Sequence, residues 1–175
     1  MPETTVAQRA ARIKLLILDI DGVLTDGRVI YDSRGGEIKH FDVTDGHGLK
    51  LLQRAGVEVA LLSGRESEVN RRRAAELGIA EVVEDAKIKL PVLEEMLQRK
   101  GLEPGEVAYM GDDLIDLPAM RAVGLALAPA SARPEAKAAA HWVSARAGGR
   151  GAVRDACELI LRASGKWSQV TARYF

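Results

Sequence analysis

The chain has 175 residues and a formal net charge of zero, with 25 lysines and arginines against 25 aspartates and glutamates. This length is enough for one domain that buries roughly 70% of its unfolded surface. No basic excess points to nucleic acid, and an aromatic content of 4% leaves little for stacking on bases. Residues 1–12 lack the apolar core of a secretion signal, and no stretch approaches the ~20 apolar residues of a membrane span. We therefore expect a cytoplasmic protein with neither a nucleic-acid nor a membrane partner.

The first predicted element is a short, buried strand over residues 14–18, of the kind found in parallel sheets. Residues 28–43 differ, because apolar residues stand on both sides of a turn at 32–36, which is typical of a β-hairpin. Helices and strands then alternate, with glycines where the helices should end. The predicted helices cover about 47–55, 67–77, 89–100, 114–122, 133–140 and 150–163, and the predicted strands cover about 57–62, 81–84, 106–110, 124–128 and 141–144.

This alternation predicts an α/β fold, a Rossmann-like, doubly wound parallel sheet with helices on both faces. No internal repeat, low-complexity tract or linker interrupts it, so we expect a single domain over residues 1–175. Residues 166–175 show no periodicity and are either disordered or docked on another surface. The only cysteine, Cys157, lies in an apolar helical pattern, which favours a core residue over a reactive thiol.

Two carboxylates follow the first predicted strand. In an open α/β sheet, ligands bind beyond the carboxyl ends of the strands, and Asp19 and Asp21 stand at such an end. Crowded carboxylates are unfavourable unless one is protonated or a cation neutralises them, and a hard divalent ion such as magnesium is the natural partner. The alternative is a turn with solvated carboxylates, and this segment alone does not decide between the two.

A serine and a lysine stand at the ends of two other predicted strands. Ser63 and Gly64 follow the strand over 57–62, where the serine either caps the next helix or helps to bind phosphate at its start. By itself, capping is the simpler interpretation. Lys89 opens a helix, where a cation opposes the helix dipole, and its position makes sense if it faces carboxylates and a phosphate. The alternative is an ordinary surface lysine.

A second acidic segment follows the strand predicted over 106–110. It carries Asp112, Asp113 and Asp116, three carboxylates within five residues. A solvated acidic loop is possible, but two acidic strand ends in one sheet are harder to dismiss. Carboxylate oxygens are the ligands that magnesium prefers, so the sequence predicts a magnesium site between these two ends.

The order Asp-x-Asp-Gly, Ser, Lys and Gly-Asp-Asp-x-x-Asp, each part at a strand end, resembles the four motifs of the haloacid dehalogenase superfamily. The resemblance covers residues 14–128 and implies a magnesium-dependent phosphatase in which Asp19 attacks phosphorus to form an aspartyl-phosphate. It implies that Asp21 protonates the leaving oxygen and then deprotonates the hydrolytic water. The implied phosphoryl contacts are Ser63, Gly64 and Lys89, and the implied metal ligands are Asp19, the Asp21 backbone carbonyl and Asp112, with Asp113 and Asp116 further out.

Members of this superfamily select substrates with an inserted cap domain, and the segments from Asp21 to Ser63 and from Ser63 to Lys89 are too short for one. A capless site is open to water unless another subunit closes it. The hairpin is the candidate contact, because an isolated two-stranded ribbon is only marginally stable. We therefore expect a homo-oligomer, specifically a tetramer. The arginines at 71–73 lie about 100° apart on a helix, so a solvated helix with one arginine at a neighbour's site is favoured over a nucleic-acid patch.

A finer resemblance is to the capless, tetrameric branch of phosphatases that act on 3-deoxy-D-manno-octulosonate 8-phosphate, a lipopolysaccharide precursor. The similar segments are 21–27, 41–48, 111–116 and 147–154, and the similarity spans about 12–166. It implies this sugar-acid phosphate as the substrate, with contacts from Arg65, Asp45 and Gly46. An arginine can bind a substrate carboxylate through two parallel hydrogen bonds.

Two positions depart from the pattern of this branch. The chain has Glu84-Asp85 where the branch usually has Gln-Gly, and Thr44 where it often has a basic residue. Both lie near the expected substrate, so a phosphatase of a nine-carbon, sialic-type sugar acid 9-phosphate stays open as an alternative. A non-catalytic assembly module of the same fold is the other alternative, and the intact aspartates and lysine of the four motifs argue against it.

Overall fold

A six-stranded parallel sheet forms the centre of the computed structural model, which describes residues 4–175. The strands lie in the order β5-β4-β1-β6-β7-β8, and a separate antiparallel hairpin is formed by β2 and β3. The bounds are β1 Leu15–Leu18, β2 Ile30–Tyr31, β3 Glu37–Ile38, β4 Glu58–Leu62, β5 Glu81–Val83, β6 Val107–Met110, β7 Leu125–Ala128 and β8 Trp142–Val143.

Helices cover both faces of this sheet, and short 3-10 helices occupy three of the connections and ends. The α-helices are α1 Val6–Ala10, α2 Val43–Arg54, α3 Glu68–Leu77, α4 Lys89–Lys100, α5 Leu117–Arg121, α6 Pro134–Ala139, α7 Ala152–Ala163 and α8 Trp167–Thr171. The 3-10 helices are Pro104–Glu106, Leu114–Asp116 and Ala172–Tyr174.

The central strand β1 is apolar on both sides, because a parallel strand under two helical layers has no solvent-facing side. Leu16 and Leu18 pack in the cluster that contains α1, α2 and α7, whereas Leu15 and Ile17 pack in the cluster that contains α4, α5 and α6. This alternation follows from the two-residue period of a strand. The predicted α/β fold with helices on both faces is therefore confirmed.

The order of the strands creates a switch point beside β1. The chain runs from β1 to β4 and β5 on one side, and then returns to β6, β7 and β8 on the other side. Ligands of doubly wound sheets bind at such a point, outside the carboxyl ends of the strands. Among the described residues, only the hairpin and α2 lie between β1 and β4, and only α3 and β5 lie between β4 and α4, so this part of the chain carries no cap domain.

The hairpin predicted over 28–43 is present, but its paired part is short. Ile30 pairs with Ile38 and Tyr31 pairs with Glu37. The Asp32 carboxylate accepts hydrogen bonds from the backbone N–H groups of residues 34 and 36, each at 2.8 Å, which fixes the turn. The side chains of Ile30, Tyr31 and Ile38 are exposed.

Several helical segments differ from the predictions, α8 among them. Helix α2 begins at Val43 and not at 47, because the Asp42 carboxylate accepts the N–H of Thr44 and caps the helix. The segment predicted as one helix over 114–122 divides into a 3-10 turn and α5. The five-residue helix α1 was not predicted; the Thr5 hydroxyl caps it by accepting the N–H of Gln8.

The tail over 166–175 is folded against the chain, which decides between the two alternatives for it. Helix α8 contacts α2 and α7, and the Arg162 guanidinium lies 4.2 Å from the centre of the Trp167 ring. The Tyr174 hydroxyl accepts a hydrogen bond from Arg54 at 2.9 Å and lies 3.1 Å from a ring nitrogen of His47. Within residues 4–175, no helix is both long enough and apolar enough to cross a membrane.

Candidate active site

A cleft of about 320 Å³ lies at the switch point, where β1, β4 and β6 end. It brings together most of the residues that the sequence predicted for the site. Its lining is Asp19, Asp21, Ser63, Gly64, Arg65, Lys87, Lys89, Asp112, Asp113 and Ile115.

Asp19 is fixed at the end of β1. Its backbone N–H donates to the carbonyl of Met110 at 3.0 Å, and its side-chain Oδ1 accepts from Lys89 Nζ at 2.8 Å. Burial raises the pKa of Asp19 to about 6, although the positive charge of Lys89 opposes this shift. The carboxylate is therefore held in one orientation in an environment that disfavours its negative charge, which leaves it reactive toward an electrophile.

Lys89 is buried between two carboxylates. Its Nζ lies 2.8 Å from Asp19 Oδ1 and 2.6 Å from Asp116 Oδ1. Burial disfavours the ammonium, but the charges of Asp19 and Asp116 outweigh burial, so the pKa of Lys89 is raised. The alternative of an ordinary surface lysine is thus wrong, since the side chain is 1% exposed.

Asp116 holds this end of the site together. Its Oδ1 accepts from Tyr109 Oη at 2.7 Å as well as from Lys89, and its Oδ2 accepts the N–H groups of Asp112 and Asp113 at 3.0 and 3.2 Å. Gly111 allows this arrangement, because a Cβ there would overlap the Asp116 carboxylate. With both oxygens occupied by protein donors, Asp116 orients the lysine and the acidic loop.

The acidic cluster fits a divalent cation. Carboxylate oxygens of Asp19, Asp112 and Asp116 lie within 4.8 Å of one another. Burial, together with the charges of Asp19 and Asp116, raises the pKa of Asp112 to about 8, as expected for a carboxylate cluster whose charge is not neutralised. Asp112 approaches this closely because residue 22 is a glycine with φ 98°, where a Cβ would overlap its carboxylate. Both oxygens of Asp116 accept protein donors, so within this cluster Asp19 and Asp112 are the carboxylates that could still offer an oxygen to magnesium.

Asp21 has a partner that the sequence did not predict. Lys39, which directly follows β3, donates from Nζ to Asp21 Oδ1 at 2.7 Å and to Asn70 Oδ1 at 2.9 Å. The Lys39 side chain is fully buried. The sequence carries no local signal for this contact, because the burial of Lys39 depends on the hairpin packing against α3.

Ser63 and Gly64 form the wall of the cleft at the end of β4. The Ser63 side chain is buried, and its Oγ accepts the N–H of Arg65 at 3.2 Å. Helix α3 begins only at Glu68, with Ser67 as its first flanking residue, so the capping alternative for Ser63 is wrong. The sequence also missed Lys87, which lines the cleft and donates to the carbonyl of Gly64 at 2.5 Å.

The other predicted substrate contacts lie in different places. Arg65 lines the cleft and donates to the Tyr31 hydroxyl at 3.1 Å and to Glu37 at 3.2 Å, so it also ties the hairpin to the site. Asp45 and Gly46, in contrast, are buried in α2 and do not line the cleft.

The Asp45 carboxylate contacts backbone groups at the start of α7. Its carboxylate accepts the N–H groups of Arg154 and Gly151, at 2.7 and 3.3 Å, and so joins α2 to the start of α7. Gly46 lies under Arg73, whose guanidinium a Cβ would overlap. Asp45 and Gly46 therefore have structural contacts in the described chain, and their contact with substrate stays a prediction. Asp113 is exposed and accepts the N–H of Leu114, which caps its own 3-10 turn.

The Glu84-Asp85 pair that departs from the branch pattern lies beside the cleft, because the exposed Asp85 has its Oδ1 2.9 Å from Nζ of Lys87, which lines the cleft. Glu84 accepts from the N–H of Ser67 at 2.9 Å and from Arg71 at 2.6 Å, so it organises the start of α3. Asp85 has a φ of 56°, in the left-handed region that favours glycine. This conformation agrees with the glycine that the branch usually has here.

Comparison with known proteins assigns the chain to a class. The family model of the haloacid dehalogenase-like hydrolases matches residues 34–124, which is more than half of the chain. The chain belongs to the haloacid dehalogenase-like hydrolases.

Relatives within this class narrow the assignment. The chain is 44% identical to the 3-deoxy-D-manno-octulosonate 8-phosphate phosphatase KdsC of Yersinia pestis, over 95% of this chain and 89% of that protein. It is 44% identical to KdsC of Escherichia coli K12, over 92% of this chain and 86% of that protein. Within the haloacid dehalogenase-like hydrolases, the chain belongs to the KdsC family.

Solved structures agree with this assignment. The 3-deoxy-D-manno-octulosonate 8-phosphate phosphatase of Moraxella catarrhalis, in complex with a magnesium ion, a phosphate ion and KDO, has a TM-score of 0.95 and 39% identity. The match covers 97% of this chain and 98% of that one. The cobalt-bound phosphatase of Haemophilus influenzae has a TM-score of 0.89 and 41% identity, covering 95% of this chain and 98% of that one.

Proposed function

We propose that this hydrolase is a magnesium-dependent phosphatase that converts 3-deoxy-D-manno-octulosonate 8-phosphate into the free sugar acid and phosphate, a step in lipopolysaccharide precursor synthesis. The observation that carries the proposal is that Asp19 and Asp21 line one cleft, with Lys89 bonded to Asp19 at 2.8 Å. The 44% identity to KdsC phosphatases supports the substrate.

In the proposed first step, an Asp19 oxygen attacks the phosphorus of the substrate. The bond from phosphorus to the sugar oxygen breaks, and protonated Asp21 gives its proton to that oxygen, so the sugar acid leaves as an alcohol. Lys89, held by Asp116, balances the charge on the phosphoryl oxygens, and Ser63 and the backbone at Gly64 contact them.

In the second step, water attacks the phosphorus of the aspartyl-phosphate. Asp21, now a carboxylate, takes the proton of the water, and the bond from phosphorus to Asp19 breaks to release phosphate and restore the free carboxylate. A magnesium ion held by Asp19, Asp112 and the backbone carbonyl of Asp21 would neutralise the negative charge that collects at the phosphoryl group.

The substrate carboxylate needs a cation at the open side of the cleft. Arg65 is half-exposed there, and Lys87 is largely exposed, so both are available to a carboxylate after they give up part of their present contacts. The guanidinium of Arg65 suits a carboxylate better, because it offers two parallel donors.

We further propose that the active form is a cytoplasmic homotetramer in which subunits close one another's clefts. Support comes from the exposed apolar side chains of the hairpin, Ile30, Tyr31 and Ile38, beside a cleft that no inserted domain covers in residues 4–175. Apolar groups grouped on one ribbon favour burial against a second copy.

The proposal is tested by assaying the purified protein against a panel of phosphorylated sugar acids, with magnesium and with a chelator. We expect the eight-carbon 8-phosphate to give a kcat/KM at least about tenfold above the nine-carbon 9-phosphate, a gap that differential contacts of one to three kcal/mol would produce. A preference for the nine-carbon acid would support the alternative substrate. No turnover of either, in a protein that binds magnesium, would support the assembly module.

A further inference from the structure

Lys39 has a bonding pattern that the proposed chemistry does not yet explain. A lysine side chain is rarely buried without a partner for its charge, and that of Lys39 is fully buried. Its ammonium donates to Asp21 Oδ1 at 2.7 Å and to Asn70 Oδ1 at 2.9 Å, and it lies 3.8 Å from Glu37. A lysine held this way is fixed in position.

The second partner of Lys39 is itself held rigidly. Asn70 lies on α3 and is completely buried. Its Nδ2 donates to Glu84 Oε1 at 3.3 Å, and Glu84 also accepts the N–H of Ser67 at 2.9 Å. The ammonium of Lys39 is therefore held by Asn70 of α3, so its long side chain keeps one position.

This arrangement distinguishes the two oxygens of Asp21. Oδ1 accepts from Lys39, whereas Oδ2 is buried and has no hydrogen-bond partner among the described residues. A buried carboxylate oxygen without a donor is unfavourable, and Asp21 lines the cleft, so Oδ2 is the oxygen that gains most when a substrate hydroxyl or a water packs against this carboxylate. Rotation of the carboxylate is restrained by the bond at Oδ1.

We propose that Lys39 is a positioning residue for the reaction: it fixes the Asp21 carboxylate so that Oδ2 exchanges the proton with the leaving oxygen and then with water. The proposal rests on the proposed function, because it takes Asp21 as the acid and base. It also gives the hairpin a part in the chemistry of its own subunit, since the residue after β3 supplies the ammonium.

The competing explanation is that Lys39 only anchors the hairpin. Ser67 offers a matched control, because its hydroxyl donates to Glu37 of the same hairpin and contacts neither Lys39 nor Asp21. Ser67→Ala therefore loosens the hairpin and leaves the Asp21 contact in place. Lys39→Met removes the ammonium and keeps an unbranched side chain.

The first measurement compares leaving groups. Lys39→Met should lower kcat on an alkyl phosphate about 10–100-fold, because a misplacement of about 1 Å costs up to about 100-fold, with KM within about threefold. p-Nitrophenolate leaves without a proton, so its release in a rapid-quench burst should stay within about threefold of wild type, while the hydrolysis that follows slows. Ser67→Ala should retain the wild-type kcat on both phosphates.

The second measurement is a double-mutant cycle with p-nitrophenyl phosphate and an alkyl phosphate. In an Asp21→Asn background, Lys39→Met should change the rate by less than about twofold, because the group through which it acts is gone. If Lys39→Met does not fold, Asn70→Ala loosens the same ammonium and should show the same dependence on the leaving group with a smaller loss.

Three results would overturn the proposal: equal losses on both leaving groups in the burst, additive effects in the cycle, or a Ser67→Ala loss equal to that of Lys39→Met. The proposed function fails on a different result, namely that the wild type does not hydrolyse the sugar-acid phosphate. The cycle still decides the role of Lys39 in that case, since any alkyl phosphate that the wild type hydrolyses can serve.

Discussion

Lys89 Nζ lies 2.6 Å from Asp116 Oδ1, and both side chains are buried. The ammonium is thus oriented before any substrate arrives, by a carboxylate that the amides of the acidic loop and Tyr109 hold in turn. Charges that are fixed in advance cost no reorganisation at the moment of reaction. The pair makes Asp116 part of the proposed phosphate site although its own oxygens face protein donors.

Asp116→Asn should therefore damage both stability and activity. The amide oxygen can still accept either from Lys89 and Tyr109 or from the amides of the acidic loop. The NH₂ group must then face the other set of donors, and Lys89 loses a compensating negative charge. Breaking a buried pair in this way costs about 3–5 kcal/mol, which thermal unfolding will detect as a clear fall in Tm.

Asp113→Asn is the matched control for that change, because it lies in the same loop and is exposed. Asparagine caps helices about as well as aspartate, so its 3-10 turn should survive and Tm should move little. A Tm for Asp116→Asn equal to that of Asp113→Asn would show that the buried hydrogen bonds of Asp116 do not stabilise the acidic loop.

Asp19→Asn should abolish turnover and leave the fold intact. An amide is a poor nucleophile, and it is a weaker ligand for magnesium than a carboxylate. Acid-quenched wild-type enzyme should carry phosphate on Asp19, and peptide mapping of that adduct, or of a beryllofluoride adduct, checks the assignment. Labelling of any other residue contradicts it.

Magnesium should stabilise this protein more strongly as pH rises. The pKa values of Asp19 and Asp112, about 6 and about 8, lie above the ordinary value of 3.8, so the metal-free folded chain binds more protons than the unfolded chain does. Its free energy of unfolding therefore falls as pH rises from about 4 to about 8. Magnesium needs both carboxylates ionised and removes this penalty.

Thermal unfolding in chelator and in magnesium, from pH 5 to pH 8, checks this expectation. The gap in Tm should widen with pH, and the chelated protein should lose about 5 °C or more over that interval. Asp112→Asn should remove most of the widening, because it deletes the carboxylate with the larger shift. A Tm in chelator that does not change with pH would mean that the pKa values of Asp19 and Asp112 are not raised in the folded chain.

Asp45→Asn should lower Tm without changing KM. The carboxylate accepts the N–H groups of Gly151 and Arg154, and an asparagine can satisfy only one of them while its NH₂ faces the other. The expected cost is about 1–3 kcal/mol. A large rise in KM with an unchanged Tm would restore Asp45 as a substrate contact and count against the structural role.

The hairpin is tested by making its exposed apolar pair polar. Ile30 and Ile38 are register partners on the ribbon, so Ile30→Ser with Ile38→Ser removes one continuous apolar contact. Sedimentation at micromolar concentration should show a species smaller than the wild type. Val143→Ser is the control, since Val143 is similarly exposed on edge strand β8, away from the hairpin. A wild-type monomer would contradict the tetramer.

The long elements were predictable because their local patterns agree with their packing. Helix α4 has the bounds that were predicted, 89–100, since a strand precedes it and Gly101 in the left-handed conformation ends it. The strand before Asp19 is a run of apolar residues, and its burial on both faces follows from that run. The motif residues then meet because parallel strands end at one edge of a sheet.

The misses have a common physical origin in tertiary contacts. Helices α1 and α8 have five residues each, too few for a periodic pattern, and α8 depends on its docking against α2 and α7. Lys39 looks like a surface residue until the hairpin folds over α3 and encloses it. Asp45 accepts the backbone N–H of Arg154, which lies more than 100 residues further along the chain, so the local sequence around Asp45 could not predict this contact.

The strand order has a consequence for how the chain is made. The strand β1 leaves the ribosome first among the strands, yet both of its neighbours, β4 and β6, are synthesised much later. Until β6 emerges, a run of four apolar residues has an unpaired edge, which is the condition under which nascent chains aggregate or bind chaperones. Because Asp112 follows β6, the proposed metal ligands come together only at that point, so a nascent chain that stops before β6 cannot form the proposed magnesium site.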